Sequence, residues 1–347
     1  MIIYWLMLLV PVWAVLVPKR LKANQVSVMW AFVGALFAIL IGLRDQVGGD
    51  WFNYLPMFLD IGARRWFDAI SQSDPGYALL SWTIYRLGGS IYAVNLFCAS
   101  VLMCGTVFFC RKQPHPWLAL LAAVPYMLIV VGMGYTRQSV ALGFALLGLA
   151  ALGDGRIRAF LIWVGIGALF HKSAVLLMPI AALASSRHRM LTIGLVGATT
   201  VLTYFLLLED SSEDLWANYV EADMQSQGGA IRVAMNAIPA LMLLLFRGRL
   251  EPESRRLKLW MWMAVFSLLC VPLAGLASTA VDRVALYLIP VQLFVFSRLP
   301  RLAGTSRMRG ALVFAILGYY VAVQFVWLNF AAHAGYWVPY RFMPVMA

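Results

Sequence analysis

"WLALLAAVPYMLIVVGMGYTRQSVALGFALLGLAAL", residues 117–152, is a continuous apolar run that carries one charge, Arg137, with Gln138 beside it. The flanks 117–133 and 135–153 each have about the 17–20 residues that a helix rising about 1.5 Å per residue needs to cross a bilayer. The stretch therefore predicts two membrane-crossing helices that meet at an arginine. The whole chain has the same character. Of its 347 residues 63% are hydrophobic and 12% charged, with a mean hydropathy of +0.81. A soluble chain of this length would carry about twice that charge. The expected fold is an all-α polytopic integral membrane protein of about 10–12 transmembrane or half-membrane helices, with amphipathic helices on its outer face. Residues 1–347 read as one membrane-embedded domain, since no repeat, low-complexity tract or Gly/Ser linker divides them.

Charge placement sets the topology. The net charge of +12 does not point to nucleic acid, because the bases are confined to short gaps between apolar runs. Six gaps, 18–22, 111–112, 154–158, 185–189, 247–258 and 297–309, hold 18 of the 27 Lys and Arg residues and three acids, leaving nine bases and twelve acids elsewhere. This segregation follows the positive-inside rule and assigns the six gaps to the cytoplasm. The spans then thread as 1–17, 26–43, 91–110, 117–133, 135–153, 191–208, 230–246, 259–276, 283–297 and 311–330, with both termini outside. The opening segment lacks a basic start and a small-residue cleavage site, so it reads as a retained span. Cys98, Cys104, Cys110 and Cys270 lie in apolar runs and read as buried, inert thiols.

Two stretches are not plain spans. Residues 159–184 lie between two basic gaps and offer about 26 residues, too few for two crossings. With "FHKSA" (170–174) in the middle, they predict a broken-helix hairpin whose tip is His171-Lys172-Ser173. Residues 44–90 are rich in aromatics and regularly charged, as short helices lying on the outer surface would be. A solvated outer loop is expected over 209–229.

The remaining polar residues sit at the outer ends of the spans: Arg44, Asp45 and Asp50, Asp74, Arg137 and Gln138, His171 and Lys172, Asp282 and Arg283, and Arg341. Each has a bland reading. Arg44 and Arg283 serve equally as snorkelling anchors, His171 as a hydrogen-bonded structural residue, and Asp50 as a turn or helix cap after "GG". Met and Trp are abundant, as packing and interfacial belts require. Arg137 is the hardest to dismiss, because its neighbours leave almost no loop. Together these groups offer arginine forks suited to phosphate, aromatic faces suited to sugars, and a carboxylate or a histidine as base, the histidine titrating near neutral pH.

The motifs "RDQVGGDWFNY" (44–54), "DPGYALLS" (74–81), "TRQSVALG" (136–143), "LFHKSAVLLMPI" (169–180), "DRVALY" (282–287) and "YWVPY" (336–340) occur in this order. The chain resembles the EpsG family of Wzy-like exopolysaccharide and O-antigen polymerases. It departs from the pattern at Asp74, where Glu is frequent, and at Thr136, where Met is common. The resemblance implies a glycosyltransferase of the bacterial inner membrane, working on the periplasmic face. Donor and acceptor would be glycans on undecaprenyl diphosphate. A chain-length regulator and a flippase of the same pathway would be partners, with no nucleic acid involved. By matching motif, His171, Asp50, Arg137 and Arg283 are expected to be catalytic. Arg44, Tyr54, Asp74, Tyr77, Gln138, Lys172 and Tyr340 are expected to bind substrate. No cofactor is expected, and no acidic pair has metal-ligand spacing. Two other readings stay open. A ligase moving glycan from the same carrier would need the same arginines. A transporter would also use broken helices, although its charges should line a path across the membrane.

Overall fold

A computed structural model describes residues 1–17, 22–71, 74–184, 229–251, 254–275 and 278–343, with a few positions between 190 and 201. These parts are mostly helical, joined by short loops, with one isolated bridge between Arg44 and Phe342. The helices are α1 (Ile2–Leu16), α2 (Ala23–Gly42), α3 (Trp51–Ala63), α4 (Trp66–Ser71), α5 (Pro75–Arg86), α6 (Ile91–Arg111) and α7 (Pro116–Gly134). They continue as α8 (Thr136–Gly153), α9 (Ile157–Phe170), α10 (Met178–Ala184), α11 (Gly229–Leu250), α12 (Ser254–Leu273), α13 (Ser278–Leu286), α14 (Pro290–Phe296) and α15 (Ser306–Phe330). Among the described residues eight helical segments are long and apolar enough to cross a membrane, and three shorter apolar helices accompany them. The protein is thus an all-α polytopic membrane protein. The expected span 191–208 and the acidic stretch 209–223 lie outside the described residues, apart from a few positions before 202.

The ends of the helices follow local chemistry. α2 opens with the Lys22 backbone N–H donating to Gln25 Oε1, and α15 with Thr305 Oγ1 accepting from the Met308 N–H, so donors orphaned in the first turn are satisfied. α7 starts at Pro116, whose fixed φ suits a first turn and whose missing N–H is no loss there. The expected span 283–297 lies within one candidate crossing, Val281–Leu302, in which a turn at 287–289 separates α13 from α14. Pro290 heads the second piece, because a proline cannot donate the intrahelical bond a continuous helix would need.

The two helices named by the opening stretch form the centre of the bundle. Every residue of α7 from Leu118 to Gly134, and most of α8, is buried. α2 and α15 instead turn Val28, Phe32, Phe314 and Phe325 outward, as lipid-facing helices do. α8 packs closely on α6 through paired glycines. A Cβ on Gly105 would lie 2.1 Å from the Gly143 carbonyl oxygen, so a small residue is required for the approach. Within α7, residues Val124–Val131 are π-helical. Such widened turns occur at functional sites, and this one ends just before Tyr135 and Arg137. The indole of Trp337 donates to the Ile129 carbonyl inside it, at 3.1 Å.

The expected hairpin 159–184 falls on two short helices interrupted at His171. α9 (14 residues) ends at His171, whose backbone is extended at φ −158° and ψ 113°. A 3₁₀ turn Lys172–Leu177 (6 residues) and α10 (7 residues) follow, and neither limb reaches the ~20 residues of a full crossing. Residues 44–90 hold the three short helices α3 to α5, with Trp51, Tyr54, Phe58 and Ile61 of α3 turned into the protein. Cys98, Cys110 and Cys270 are buried, but Cys104 is exposed on the outer face of α6, which corrects the expectation that all four thiols are enclosed.

Candidate functional site

The loop after α2 is built as a platform. Arg44 is 1% exposed, and every arm of its guanidinium is engaged. Nη1 donates to the Ile41 carbonyl (2.7 Å), Nε to the Val47 carbonyl (3.0 Å) and Nη2 to Thr136 Oγ1 (2.9 Å). The arginine caps α2, closes the loop and ties it to the start of α8. Gly48 completes the turn at φ +106°, where a Cβ would sit 2.1 Å from the Met133 carbonyl oxygen, so only glycine fits. The C-terminal segment clasps the same loop. The Asp45 N–H donates to the Arg341 carbonyl, the Gly48 N–H to the Tyr336 carbonyl and the Met343 N–H to the Leu43 carbonyl. Tyr340 gives its hydroxyl to the Leu40 carbonyl at 2.7 Å. Arg44 and Tyr340 therefore spend their polar groups on the protein, behind the site.

In front of this platform, side chains from five segments converge. Asp74, at the start of α5, is 5% exposed. Its Oδ2 accepts from Arg137 Nη1 at 2.8 Å, and its Oδ1 from the Lys172 backbone N–H at 3.3 Å. One carboxylate thus joins α5, the first turn of α8 and the break after α9. The Arg137 guanidinium lies 5.9 Å from the Tyr54 ring centre, and the Arg137 N–H donates to the Tyr54 hydroxyl at 3.3 Å. Tyr77, fully buried, packs its ring 5.7 Å from that of Tyr54. Gln138, 1% exposed, donates to the Arg283 carbonyl at 3.0 Å and so fastens α13 to α8. Arg137, His171, Lys172, Arg283 and Asp50 remain partly exposed, whereas Arg44, Asp74, Tyr77 and Gln138 form a buried tier behind them.

His171 sits at the break with both ring nitrogens engaged. Nδ1 is 2.6 Å from Ser173 Oγ, and Nε2 is 3.5 Å from Arg283 Nη1. A guanidinium only donates, so Nε2 faces it as the acceptor. The proton then belongs on Nδ1, donated to Ser173 Oγ, and Ser173 gives its own proton to the Tyr287 hydroxyl at 3.2 Å. Burial, together with the Arg283 cation, holds His171 well below the usual histidine value. This differs from the expectation of titration near neutral pH, because a second positive charge beside Arg283 is disfavoured. Asp50 stands at the N-cap position of α3 but makes no capping hydrogen bond. Burial raises its carboxyl above the ordinary range, against the opposing pull of Arg283, Arg137 and Arg44. Asp74 is likewise raised by burial, opposed by Arg137 and Lys172.

Sequence reasoning gave no site role to Ser173 or Tyr287, which orient His171, and did not pair Arg232 with Asp282. Arg232 interrupts an apolar run near the start of α11, the same signal that singled out Arg137.

The family model that describes the EpsG family matches residues 27–342. The chain belongs to the EpsG family. No curated protein and no solved structure matches it. The match covers every residue of the converging cluster, and membership ties this EpsG-family protein to polysaccharide biosynthesis in a membrane. The opposite end of the bundle has a different character. α8 carries Arg137 in its first turn and, 17 residues later and about 26 Å away, reaches Asp154, which binds Lys112, Arg156 and Arg256. Nearby Arg298 and Glu251 form a buried pair at 2.8 Å.

Proposed function

We propose that the chain polymerises undecaprenyl-diphosphate-linked oligosaccharide repeats, on the periplasmic face of the bacterial inner membrane, by glycosyl transfer with the lipid diphosphate as leaving group. One observation carries this reading. Two arginines, two carboxylates and a histidine from distant segments converge at the end of the bundle opposite the basic loops.

A hydroxyl of the acceptor repeat attacks the anomeric carbon of the donor glycan. The bond from that carbon to the diphosphate oxygen breaks, and the diphosphate departs with the electron pair. Arg137 and Arg283 stabilise the growing charge, as preorganised donors do in a water-poor site. Asp74 holds Arg137 from behind through one Nη, and Gln138 holds the backbone of Arg283. Asp50 takes the hydroxyl proton. Its raised proton affinity brings it closer to the working pH, which suits a general base. His171 accepts from Arg283 and fixes that guanidinium. Arg44, Tyr77 and Tyr340 maintain the platform, and Tyr54 offers a ring to the substrate. His171 is the second candidate for the base, because Nε2 becomes available once the diphosphate draws Arg283 away.

The reading is tested by incubating the purified protein with a lipid-linked repeat and weighing the glycans. A ladder of repeat lengths is expected. A single addition would identify a ligase instead, and movement across proteoliposomes without new glycosidic bonds a transporter. A cysteine at His333 should label from outside intact spheroplasts, and one at Gly304 only after lysis.

A further inference from the structure

A groove of about 670 Å³ runs between α2 and α6, away from the residues assigned to the reaction. Its floor is shallow because Ala31 and Ala35 of α2 and Cys104 of α6 present little side chain, and all three are exposed on the outer surface. That volume lies in the ~300–1,000 Å³ range of ligand clefts. On α6 the lining reaches from Ser100 to Lys112, roughly 18 Å along the helix axis. This is close to half of a ~30 Å hydrocarbon core, so the groove spans one leaflet.

The end of the groove is basic. Arg111 and Lys112 close it on α6, and Lys22 heads α2 at the same end. Arg111 Nη2 donates to Ser27 Oγ across the mouth at 3.1 Å. Lys112 lies 5.0 Å over the Phe108 ring and is joined to Asp154. That one carboxylate is shared with Arg156 and Arg256, so the mouth stays positive. Basic pockets between transmembrane helices on the cytoplasmic side recognise anionic headgroups.

We propose that this groove binds an anionic glycerophospholipid of the leaflet at the basic end, with an acyl chain against Ala31, Ala35 and Cys104 and the phosphate at Arg111 and Lys112. A zwitterionic lipid would fill the groove without answering the charge at its mouth. A polyisoprenoid diphosphate held at the other end of the bundle would place no phosphate here.

Cys104 is a native reporter, since Cys98, Cys110 and Cys270 are buried. The test follows maleimide alkylation of the full-length protein in detergent micelles doped with phosphatidylglycerol or phosphatidylcholine, with native mass spectrometry counting retained lipid. Phosphatidylglycerol is expected to protect Cys104 at concentrations on the order of tenfold lower than phosphatidylcholine. Arg111→Gln, at an exposed position, should cut that preference about fivefold while leaving the folded protein monodisperse. Ala35→Phe should slow alkylation without lipid and reduce lipid retention. Equal protection by both lipids would overturn the proposal, and so would protection by polyprenyl phosphate alone. An unchanged preference in Arg111→Gln would overturn the assignment of the headgroup.

Discussion

Replacing Arg137 by lysine keeps the charge and removes the fork. In the protein one Nη of Arg137 is committed to Asp74 at 2.8 Å, and the guanidinium lies 5.9 Å from the Tyr54 ring centre. A lysine can make the first of these contacts with its single ammonium. It then has no second arm fixed in direction towards a diphosphate, whereas the planar guanidinium binds two acceptors at once. The expected loss is that of one preorganised donor to a developing charge, about 2.7–4 kcal/mol, or a 10²–10³-fold fall in turnover. Folding should survive, because Asp74 keeps a cation. Arg137→Ala is the less informative variant. It leaves Asp74, 5% exposed, without that partner, a defect that costs about 3–5 kcal/mol, so lost activity would be mixed with lost structure. The assay is turnover of a lipid-linked repeat in detergent at matched expression, with donor affinity and thermal unfolding on the same samples. A lysine variant within a few-fold of the parent would refute the diphosphate role and leave Arg137 as a structural partner of Asp74.

Asp50→Asn should abolish polymer synthesis by about 10²–10⁴-fold with donor binding retained; in the parent the rate should rise with pH through the value at which Asp50 loses its proton, and a His171→Gln variant that removes this acid limb would transfer the base role to His171. Ser173→Ala should lower turnover on the order of tenfold, as loss of an orienting partner does, and Ser173→Thr, which restores the hydroxyl, should recover it; an unchanged rate in the alanine variant would show that the tautomer is not set there. Arg44→Leu strips the donors from the Ile41 and Val47 carbonyls, at about 1–3 kcal/mol for each buried acceptor left unpaired; thermal unfolding should fall while the KM of surviving folded protein stays near the parent value, and a raised KM with parental stability would return Arg44 to the substrate. Calorimetry of donor binding in two buffers of different ionisation heat should show proton uptake below neutral pH, and zero or negative uptake would contradict the charge coupling argued for His171.

Most of the fold is legible from periodicity and length. Apolar runs gave α2, α6, α7, α8 and α15 to within a few residues, because lipid demands continuous apolar helix. The break at His171 followed from arithmetic, since 26 residues cannot make two spans. Two features were hidden. Within the single crossing Val281–Leu302 a turn before Pro290 separates α13 from α14, which hydropathy alone does not show. Cys104 lies outward and Cys98 inward on the same apolar helix, because in a membrane both faces are apolar and composition does not separate them. At the site, sequence found the charges but could not rank them. Arg44 and Arg137 look alike as lone arginines at span ends. Only the tertiary positions of Val47, Thr136 and Asp74 show that one is wholly engaged by the protein and the other is held facing outward. Ser173 and Tyr287 lay in the quoted stretches but carried no role, since a hydroxyl in an apolar segment costs too little to stand out.

Charge balance accounts for an arginine set in an apolar run. This end of the bundle carries the cations Arg44, Arg137, Lys172, Arg232, Arg283 and Arg341 and the carboxylates Asp45, Asp50, Asp74 and Asp282. The acids serve different purposes. Asp282 is joined to Arg232 and Asp74 to Arg137, both inside the protein, while Asp50 stands at the front. The remaining positive charge acts on His171 and Asp50, lowering the proton affinity of each. A diphosphate arriving between Arg137 and Arg283 would cancel that field. The proton affinities of Asp50 and His171 would then rise at the moment the leaving group is in place, and a stronger base would face the acceptor hydroxyl only when a donor is bound. An arginine that is costly to bury without a ligand is, on this account, what couples donor binding to activation of the base.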